Sequence, residues 1–172
     1  GPIGLSTILA LKSAGAQKII AVELAQARKE FAADFGADVV LDPNEVDVIE
    51  EVMKLTANKG VNVSFETTGV QAGFDTTVAA VERGGRTVVT SIWEEEVEFH
   101  LNNLVLVEKE IRGTIVYNRG IFPATISLVE DGRIAAPKMI TKEIKLDDVV
   151  EEGFEELVKN KDKHVKIIVT PK

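Results

Sequence analysis

Cysteine is absent from the 172 residues, which excludes disulfide bonds and every zinc site built on thiolates. Basic residues are also scarce, because 20 lysines and arginines face 28 aspartates and glutamates, a net charge of −8. This balance argues against binding to nucleic acid or to an anionic membrane, since both partners need a basic surface. No apolar run approaches the roughly 18–20 residues that span a bilayer, and no signal-peptide pattern opens the sequence. We therefore expect a soluble, cytoplasmic protein.

The remaining composition is that of an ordinary globular chain, with 45% apolar and 28% charged residues. Short β-branched runs alternate with longer amphipathic runs, a pattern typical of βαβ units and a parallel sheet buried on both faces. The pattern predicts strands over residues 18–23, 38–41, 62–66, 86–92 and 111–117, a loop and short strand over 137–145, a final strand over 163–170, and helices over 5–14, 25–35, 46–57, 71–81, 104–108, 122–131 and 147–160.

Punctuating residues support these bounds. Asp147 is the expected N-cap of the last helix. Glycines follow the helices, where a left-handed cap is favoured; they are Gly15, Gly36, Gly60, the pair Gly84-Gly85, and Gly132.

The first residues place two glycines at the start of a helix. Gly1 and Gly4 supply the G-x-x-G half of the dinucleotide fingerprint, in which helix amides face a pyrophosphate. Glu23 ends the next predicted strand, 19 residues after Gly4, where the fingerprint expects an acid that binds the adenosine ribose. A carboxylate there repels the additional phosphate of NADP, so an acid at this position favours NAD over NADP. The alternatives are a simple turn before a helix and an exposed acid at a strand end.

Several segments carry a family resemblance. GPIG at residues 1–4, FAADFGADVVLD at 31–42, FETTG at 65–69 and GGRTVVTSI at 84–92 resemble the coenzyme domain of zinc-dependent medium-chain alcohol and polyol dehydrogenases. SIWEEEVEF, NNLVLVEKEIRGTIVYNR and DDVVEEGFEELVKNKDKHVKIIV are similar to 2,3-butanediol dehydrogenases. The resemblance implies an α/β fold: a Rossmann-type doubly wound parallel sheet over residues 1–136, truncated at its first strand, and a C-terminal segment of the catalytic domain over 137–172.

The resemblance also implies a reaction and a set of coenzyme contacts. The parent enzyme would pass hydride between NAD and a secondary alcohol or the matching ketone, with zinc polarising the oxygen. The first four residues would face the pyrophosphate, an acid and an arginine the adenosine ribose, a Thr-Thr-Gly turn the adenine half, and the ends of two later strands the nicotinamide. In that order the residues are Gly1, Pro2, Ile3 and Gly4; Glu23 and Arg28; Thr67, Thr68 and Gly69; and Ser91, Ile92, Thr114 and Val116.

The zinc ligands of the family belong to an N-terminal half that these residues do not resemble. The only histidines, His100 and His164, lie far apart in unrelated contexts. We therefore expect no catalytic residue and no metal site in this chain, and no turnover by the chain in isolation. The alternatives are a non-catalytic NAD-binding or sensor module and a folded fragment that binds nothing. The strand from Ile111 to Tyr117 is the dimer edge of the family, so we expect a homo-oligomer.

Loss of the first strand would leave two central strands without a partner. Each unpaired buried backbone group would then destabilise the fold by about 1–3 kcal/mol. The remaining strands could close up, another chain could donate a strand, or residues 165–169 could fill the gap.

The roles of two further residues are ambiguous. Glu66 ends a strand but has no neighbouring histidine or lysine that would indicate acid–base chemistry. Trp93 follows the predicted nicotinamide strand and lines the substrate side or caps the core.

Overall fold

A computed structural model of the protein describes residues 1–171. Its contacts group the chain into two compact units, one formed by Gly1–Val40 with Asn118–Lys172 and the other by Leu41–Tyr117. No helix among residues 1–171 is both long enough and apolar enough to cross a membrane.

The first unit combines the two ends of the chain. Its core is formed by one face of the first helix, where Leu5, Ile8 and Leu9 recur at helical spacing, together with Phe35 and Val165. The unit also contains two strand pairs, β1 with β2 and β6 with β7, and the second pair is parallel. The elements are α1 (Pro2–Ser13), β1 (Ile20–Val22), α2 (Gln26–Asp34), β2 (Val39–Leu41, which crosses into the second unit), α6 (Ile121–Glu130), a 3-10 turn (Ala136–Met139), β6 (Ile140–Lys145), a 3-10 turn (Leu146–Asp148), a π-helical stretch (Val149–Glu155), α7 (Glu156–Lys159), a 3-10 turn (Lys161–Lys163) and β7 (Lys166–Thr170).

The second unit is built on a three-stranded parallel sheet with the order β3-β4-β5. Asp47 caps the helix that precedes the sheet, because its side chain accepts a hydrogen bond from the Glu50 amide at 2.9 Å. One face of this helix is apolar and packed inward, since Val48 and Val52, four residues apart, are both buried. The elements are α3 (Val48–Leu55), β3 (Val61–Glu66), α4 (Gln71–Ala80), β4 (Val81–Val89), α5 (Asn102–Val105) and β5 (Glu110–Gly113).

The alternation of helices with parallel strands is confirmed. The left-handed positions after helices are confirmed too, at Gly15 (φ +81°), Gly36 (φ +113°) and Gly60 (φ +93°). At Gly60 the choice of residue is strict, because an added Cβ would lie 2.7 Å from the Ala80 carbonyl oxygen.

The predicted start of β4 is wrong. The strand begins at Val81 rather than at Arg86, and it contains the glycine pair expected beyond α4. Val61 pairs with Val81 and Val63 pairs with Arg86, so a single residue of β3 lies opposite four residues of β4. Gly84, with φ of +72°, allows the chain to turn within this bulge.

The predicted end of β5 is also wrong, because the strand stops at Gly113 rather than at Tyr117. Its partner β4 ends at Val89, whose carbonyl still accepts a hydrogen bond from the Thr114 amide at 3.0 Å. Beyond that point no strand remains to continue the ladder, and Val116 adopts a positive φ of 53° that leaves the extended path. The apolar run after Thr114 is therefore an exposed bend.

The predicted C-terminal helix over 147–160 is divided into 3-10, π and α pieces. Asp147 lies inside the 3-10 turn and is not an N-cap. Gly153 explains the irregularity, because it is buried and an added Cβ would lie 3.1 Å from Ile144 Cδ1. The widened helical turn accommodates this close approach of backbone to strand.

The described residues form three separate sheets, with the strand orders β1-β2, β3-β4-β5 and β6-β7. Of the three alternatives for a missing first strand, two are therefore not found among these residues: the last strand pairs with β6, and the remaining strands do not close into one sheet. The third alternative, donation of a strand by another chain, stays untested.

Candidate functional site

The start of α1 is an exposed helix N-terminus without a cap. Gly1 stands at the N-cap position and has no side chain to offer, and Pro2 follows it. Ile3 is exposed, Gly4 is half-buried, and the first intrahelical bond is that from the Leu5 amide to the Gly1 carbonyl at 3.0 Å. The amides of the first turn have no preceding helical carbonyl to bind, so they face outward with the positive end of the helix dipole. This arrangement suits an anionic group.

Glu23 lies just after β1, beside the start of α1. Its Oε1 accepts hydrogen bonds from the Leu24 amide at 2.9 Å, the Ala25 amide at 3.0 Å and Arg28 Nη2 at 3.1 Å. Its Oε2 lies 3.4 Å from the Gly1 nitrogen. Burial raises the pKa of Glu23, but the hydrogen bonds from Arg28 and Ala25 outweigh it, and the pKa falls below its ordinary value. The carboxylate is therefore ionised, with Oε1 held by three hydrogen bonds and Oε2 directed at the Gly1 nitrogen at the start of α1.

Arg28 extends from α2 between two carboxylates. Besides Glu23, it contacts Asp162, whose Oδ1 accepts a hydrogen bond from Nη1 at 2.6 Å. The Nε atom lies 3.1 Å from Glu23 Oε2 without the alignment of a hydrogen bond, and it is a buried donor without a hydrogen-bond acceptor among residues 1–171. Sequence reasoning missed Asp162, because it lies 134 residues from Arg28 and no local motif signals it.

A second set of predicted residues lies in the second unit, at the carboxyl end of its parallel sheet, where doubly wound folds bind ligands. Glu66, at the end of β3, is fully buried and organises this edge. Its Oε1 accepts hydrogen bonds from the Thr68 amide at 2.6 Å, the Thr68 hydroxyl at 2.6 Å and the Gly69 amide at 3.0 Å. Its Oε2 accepts a hydrogen bond from the Ser91 hydroxyl.

These bonds decide the ionisation of Glu66. Burial raises its pKa, but the hydrogen bonds from Ser91 and Thr68 and from the amides of Thr68 and Gly69 outweigh burial, and the pKa is lowered. The folded protein therefore favours the ionised carboxylate. Sequence reasoning left Glu66 ambiguous for want of a neighbouring histidine or lysine, although a carboxylate directly before a Thr-Thr-Gly turn is itself a signal of turn capping.

The turn after β3 packs closely against the end of β4. Gly69 adopts a positive φ of 70°, and an added Cβ would lie 2.9 Å from the Ile92 carbonyl oxygen. Thr67 is half-buried, Thr68 and Ile92 are exposed, and the Ser91 hydroxyl is already bound to Glu66. The structure thus brings the predicted turn residues together with Ser91 and Ile92.

The end of the neighbouring strand is open to solvent. Thr114 and Val116 are both exposed, and only the Thr114 amide is tied to the sheet, through Val89. Trp93 packs edge-on against Phe74 of α4 with ring centroids 6.0 Å apart, and Phe99 packs on the same ring at 5.4 Å. This aromatic cluster supports the loop that follows β4.

Neither histidine belongs to a metal cluster, since residues 1–171 contain no group of three histidine, cysteine or acidic side chains that could hold an ion. His100 is exposed. His164 Nε2 lies 3.0 Å from Glu156 Oε1, and its Nδ1 lies 3.4 Å from the Thr141 hydroxyl, so both ring nitrogens have structural partners.

Comparison with known proteins identifies relatives of the whole chain. The profile of a family described as "Zinc-binding dehydrogenase" matches residues 2–131. The (R,R)-butanediol dehydrogenases of Neisseria gonorrhoeae and Bacillus subtilis are 46% and 45% identical over 172 residues, 99% of this chain. The crystal structure of 2R,3R-butanediol dehydrogenase from Bacillus subtilis aligns with a TM-score of 0.94 at 44% identity and covers 100% of this chain.

The chain spans about half the length of the relatives it matches: 48% and 49% of the two curated sequences and 49% of the solved chain. Within that span, the similarities confirm the resemblance carried by the sequence motifs and the Rossmann-type α/β fold class that the resemblance implies.

Proposed function

Because this chain belongs to the zinc-binding dehydrogenase family, we propose that it is the coenzyme-binding part of an NAD-dependent alcohol or polyol dehydrogenase. The proposed reaction passes hydride between NAD and a small secondary alcohol or the matching ketone, with 2,3-butanediol as the first candidate. The two relatives that are 46% and 45% identical to this chain carry butanediol in their names. We also propose that residues 1–136 are the coenzyme domain and residues 137–172 a segment of the catalytic domain.

The observation that supports NAD is the state of the Glu23 carboxylate. One oxygen is held by three donors, while Oε2 lies beside the uncapped start of α1. An ionised, oriented carboxylate accepts hydrogen bonds from ribose hydroxyls and repels a 2′-phosphate. The unsatisfied Nε of Arg28 adds a buried donor next to it. The residues present therefore fit the adenosine ribose of NAD.

NAD, when bound, supplies a nicotinamide ring that accepts or delivers hydride. The role of this chain is to hold and orient it. The backbone of the first turn, at Gly1, Pro2, Ile3 and Gly4, is proposed to face the pyrophosphate. Pro2 contributes shape only, because it lacks an amide hydrogen.

The remaining contacts are proposed at the carboxyl end of the β3–β5 sheet. Thr67, Thr68 and Gly69 would border the adenine half. Ser91 and Ile92 would meet the nicotinamide carboxamide through backbone groups, because the Ser91 hydroxyl is bound to Glu66. Thr114 and Val116 would do the same beyond β5. These four positions supply backbone donors and acceptors without charge.

Zinc does not fit the described residues, which contain no cluster of three ligands. Any zinc and the groups that act on the substrate are proposed to come from the rest of the protein, and the chain alone is proposed to be inactive. Oligomerisation through the edge around Ile111–Tyr117 and a cytoplasmic location stay predictions.

The proposal is tested by calorimetric titration of the full-length protein with NADH and with NADPH. We expect NADH to bind more tightly, and Glu23→Gln to weaken NADH binding about tenfold, which is about 1.4 kcal/mol. Glu30→Gln, which removes a charge from the exposed face of α2, is the matched control and should leave both affinities unchanged. Equal binding of the two coenzymes by the unmodified protein would contradict the assignment of Glu23.

A second assay separates the enzyme from a non-catalytic NAD-binding or sensor module. The full-length protein is incubated with NAD and 2,3-butanediol, and NADH is followed at its absorption band. Turnover supports the dehydrogenase, whereas tight NADH binding without turnover of any secondary alcohol supports the module.

A further inference from the structure

Arg28 is held by carboxylates from two distant parts of the chain. Nη2 donates to Glu23 Oε1 at 3.1 Å, and Nη1 donates to Asp162 Oδ1 at 2.6 Å. The Arg28 side chain is only 22% exposed, whereas that of Asp162 is 48% exposed and reaches in from the surface. The guanidinium and its two carboxylates together carry one net negative charge.

Asp162 belongs to the 3-10 turn Lys161–Lys163, which packs against α2 within the first unit. It comes from residues 137–172, the segment proposed to belong to the catalytic domain. The C-terminal segment therefore contributes a charge directly to the residues proposed to bind the adenosine ribose. The residues on either side of Asp162 are both lysines, so within this turn Asp162 alone has the sign that opposes a phosphate.

The chemistry of arginine makes this contact consequential. A guanidinium presents a fork of donors that matches phosphate, and an arginine near the ribose accommodates the 2′-phosphate of NADP. Arg28 lies beside the very carboxylate that is proposed to reject that phosphate. If its Nη1 were open, Arg28 would offset the repulsion by Glu23 and weaken the discrimination between the two coenzymes.

We propose that Asp162 is a specificity-determining residue: by occupying Nη1 and neutralising Arg28, it prevents this arginine from binding the 2′-phosphate of NADP. The proposal rests on the proposed function, because it presumes that the ribose binds at Glu23. It adds a residue 139 positions away from Glu23, in a different segment, to the selection of the coenzyme.

The test compares Kd values for NADH and NADPH in the full-length protein and its Asp162→Asn variant. We expect the Kd for NADPH to fall about fivefold, near the upper limit for a partly exposed ion pair, and the Kd for NADH to change less than twofold. The gain in NADPH affinity should shrink as the salt concentration is raised, because the attraction between Arg28 and the 2′-phosphate is electrostatic. Asp162→Glu should restore the original preference.

The control is Asp148→Asn, which removes the same charge from an exposed position in the same segment whose side chain caps no helix. A preference that stays unchanged in Asp162→Asn, in a protein that selects NADH, overturns this inference and leaves the proposed function intact. Equal weakening of NADH and NADPH binding, together with a lower Tm, also overturns it, since that result would indicate that Asp162 has only a structural role. A protein that binds neither coenzyme overturns the proposed function itself.

Discussion

Replacement of Glu66 by glutamine tests whether the carboxylate organises the edge of the β3–β5 sheet. Glutamine has nearly the same shape but a single acceptor oxygen and an NH2 donor. Its oxygen can keep the bonds from the Thr68 amide and hydroxyl and from the Gly69 amide. The NH2 group of the glutamine then faces the Ser91 hydroxyl. That hydroxyl now donates its hydrogen to Glu66 Oε2, so in the variant it has to rotate and accept a hydrogen bond instead.

The magnitude follows from the four hydrogen bonds. Bonds to a charged group contribute about 1.5–3 kcal/mol each, and neutral bonds about 0.5–1.5 kcal/mol. Relief from burying a charge opposes this loss, but the lowered pKa of Glu66 means that the hydrogen bonds prevail over burial. We therefore expect Glu66→Gln to lower the free energy of unfolding by about 2 kcal/mol. Glu66→Ala leaves two backbone amides unsatisfied as well and should lower it by about 4 kcal/mol.

The assay is urea unfolding at neutral pH, followed by circular dichroism, with the exposed carboxylate Glu45 changed to glutamine as the control. The control should stay within about 0.5 kcal/mol of the unmodified protein. A Glu66→Gln variant as stable as the control would refute the conclusion that the charged form of Glu66 is favoured by folding.

Comparison of the unmodified protein with Glu66→Gln also predicts how the free energy of unfolding depends on pH. Because the folded pKa of Glu66 lies below the unfolded value of 4.5, the stabilisation is fully present above pH 4.5 and is lost as pH falls through the folded pKa. The stability difference between the protein and Glu66→Gln should therefore be constant near neutral pH and narrow in acid. A difference that widens in acid would contradict the assignment.

Three further substitutions test separate contacts. Gly69→Ala should destabilise the protein by more than Gly132→Ala, because both residues have a φ near +70° but only at Gly69 would the methyl group meet a backbone carbonyl; thermal unfolding of the two variants isolates that collision. Phe74→Leu should shift the emission of Trp93 to longer wavelength, since the indole loses its edge-on ring and gains water; an unchanged spectrum would show that the contact does not shield it. Asp47→Ala should lower the free energy of unfolding by about 1 kcal/mol through loss of the α3 cap, whereas Asp47→Asn should be nearly neutral in the same urea titration.

Periodicity and punctuation predict the elements of this fold well wherever the determinant is local. The helix ends at Gly15, Gly36 and Gly60 depend on a backbone conformation that glycine favours, so the sequence marks them directly. The ends of β4 and β5 depend instead on where a partner strand stops, and no local pattern carries that information. Gly84 illustrates the limit, because its positive φ is predicted but its place inside a bulge is not.

The candidate site divides in the same way. The Glu23 position follows from spacing along the chain, but the contact between Arg28 and Asp162 joins residues 134 apart and emerges only from the packing of the C-terminal turn on α2. The role of Glu66 stayed ambiguous in the sequence for another reason. A search for acid–base chemistry asks which titratable neighbours a carboxylate has, whereas Glu66 is held by amides and hydroxyls that such a search ignores.

The short length of β5 has a consequence for backbone protection. β4 is bonded on both sides, so its amides exchange with deuterated solvent only when the sheet opens, whereas the four exposed residues of β5 can detach alone. Thr114 and Val116 follow this weakest strand. A coenzyme that binds their backbone groups would hold the strand in place, and the largest slowing of deuterium uptake should therefore appear at β5 rather than in the centre of the sheet.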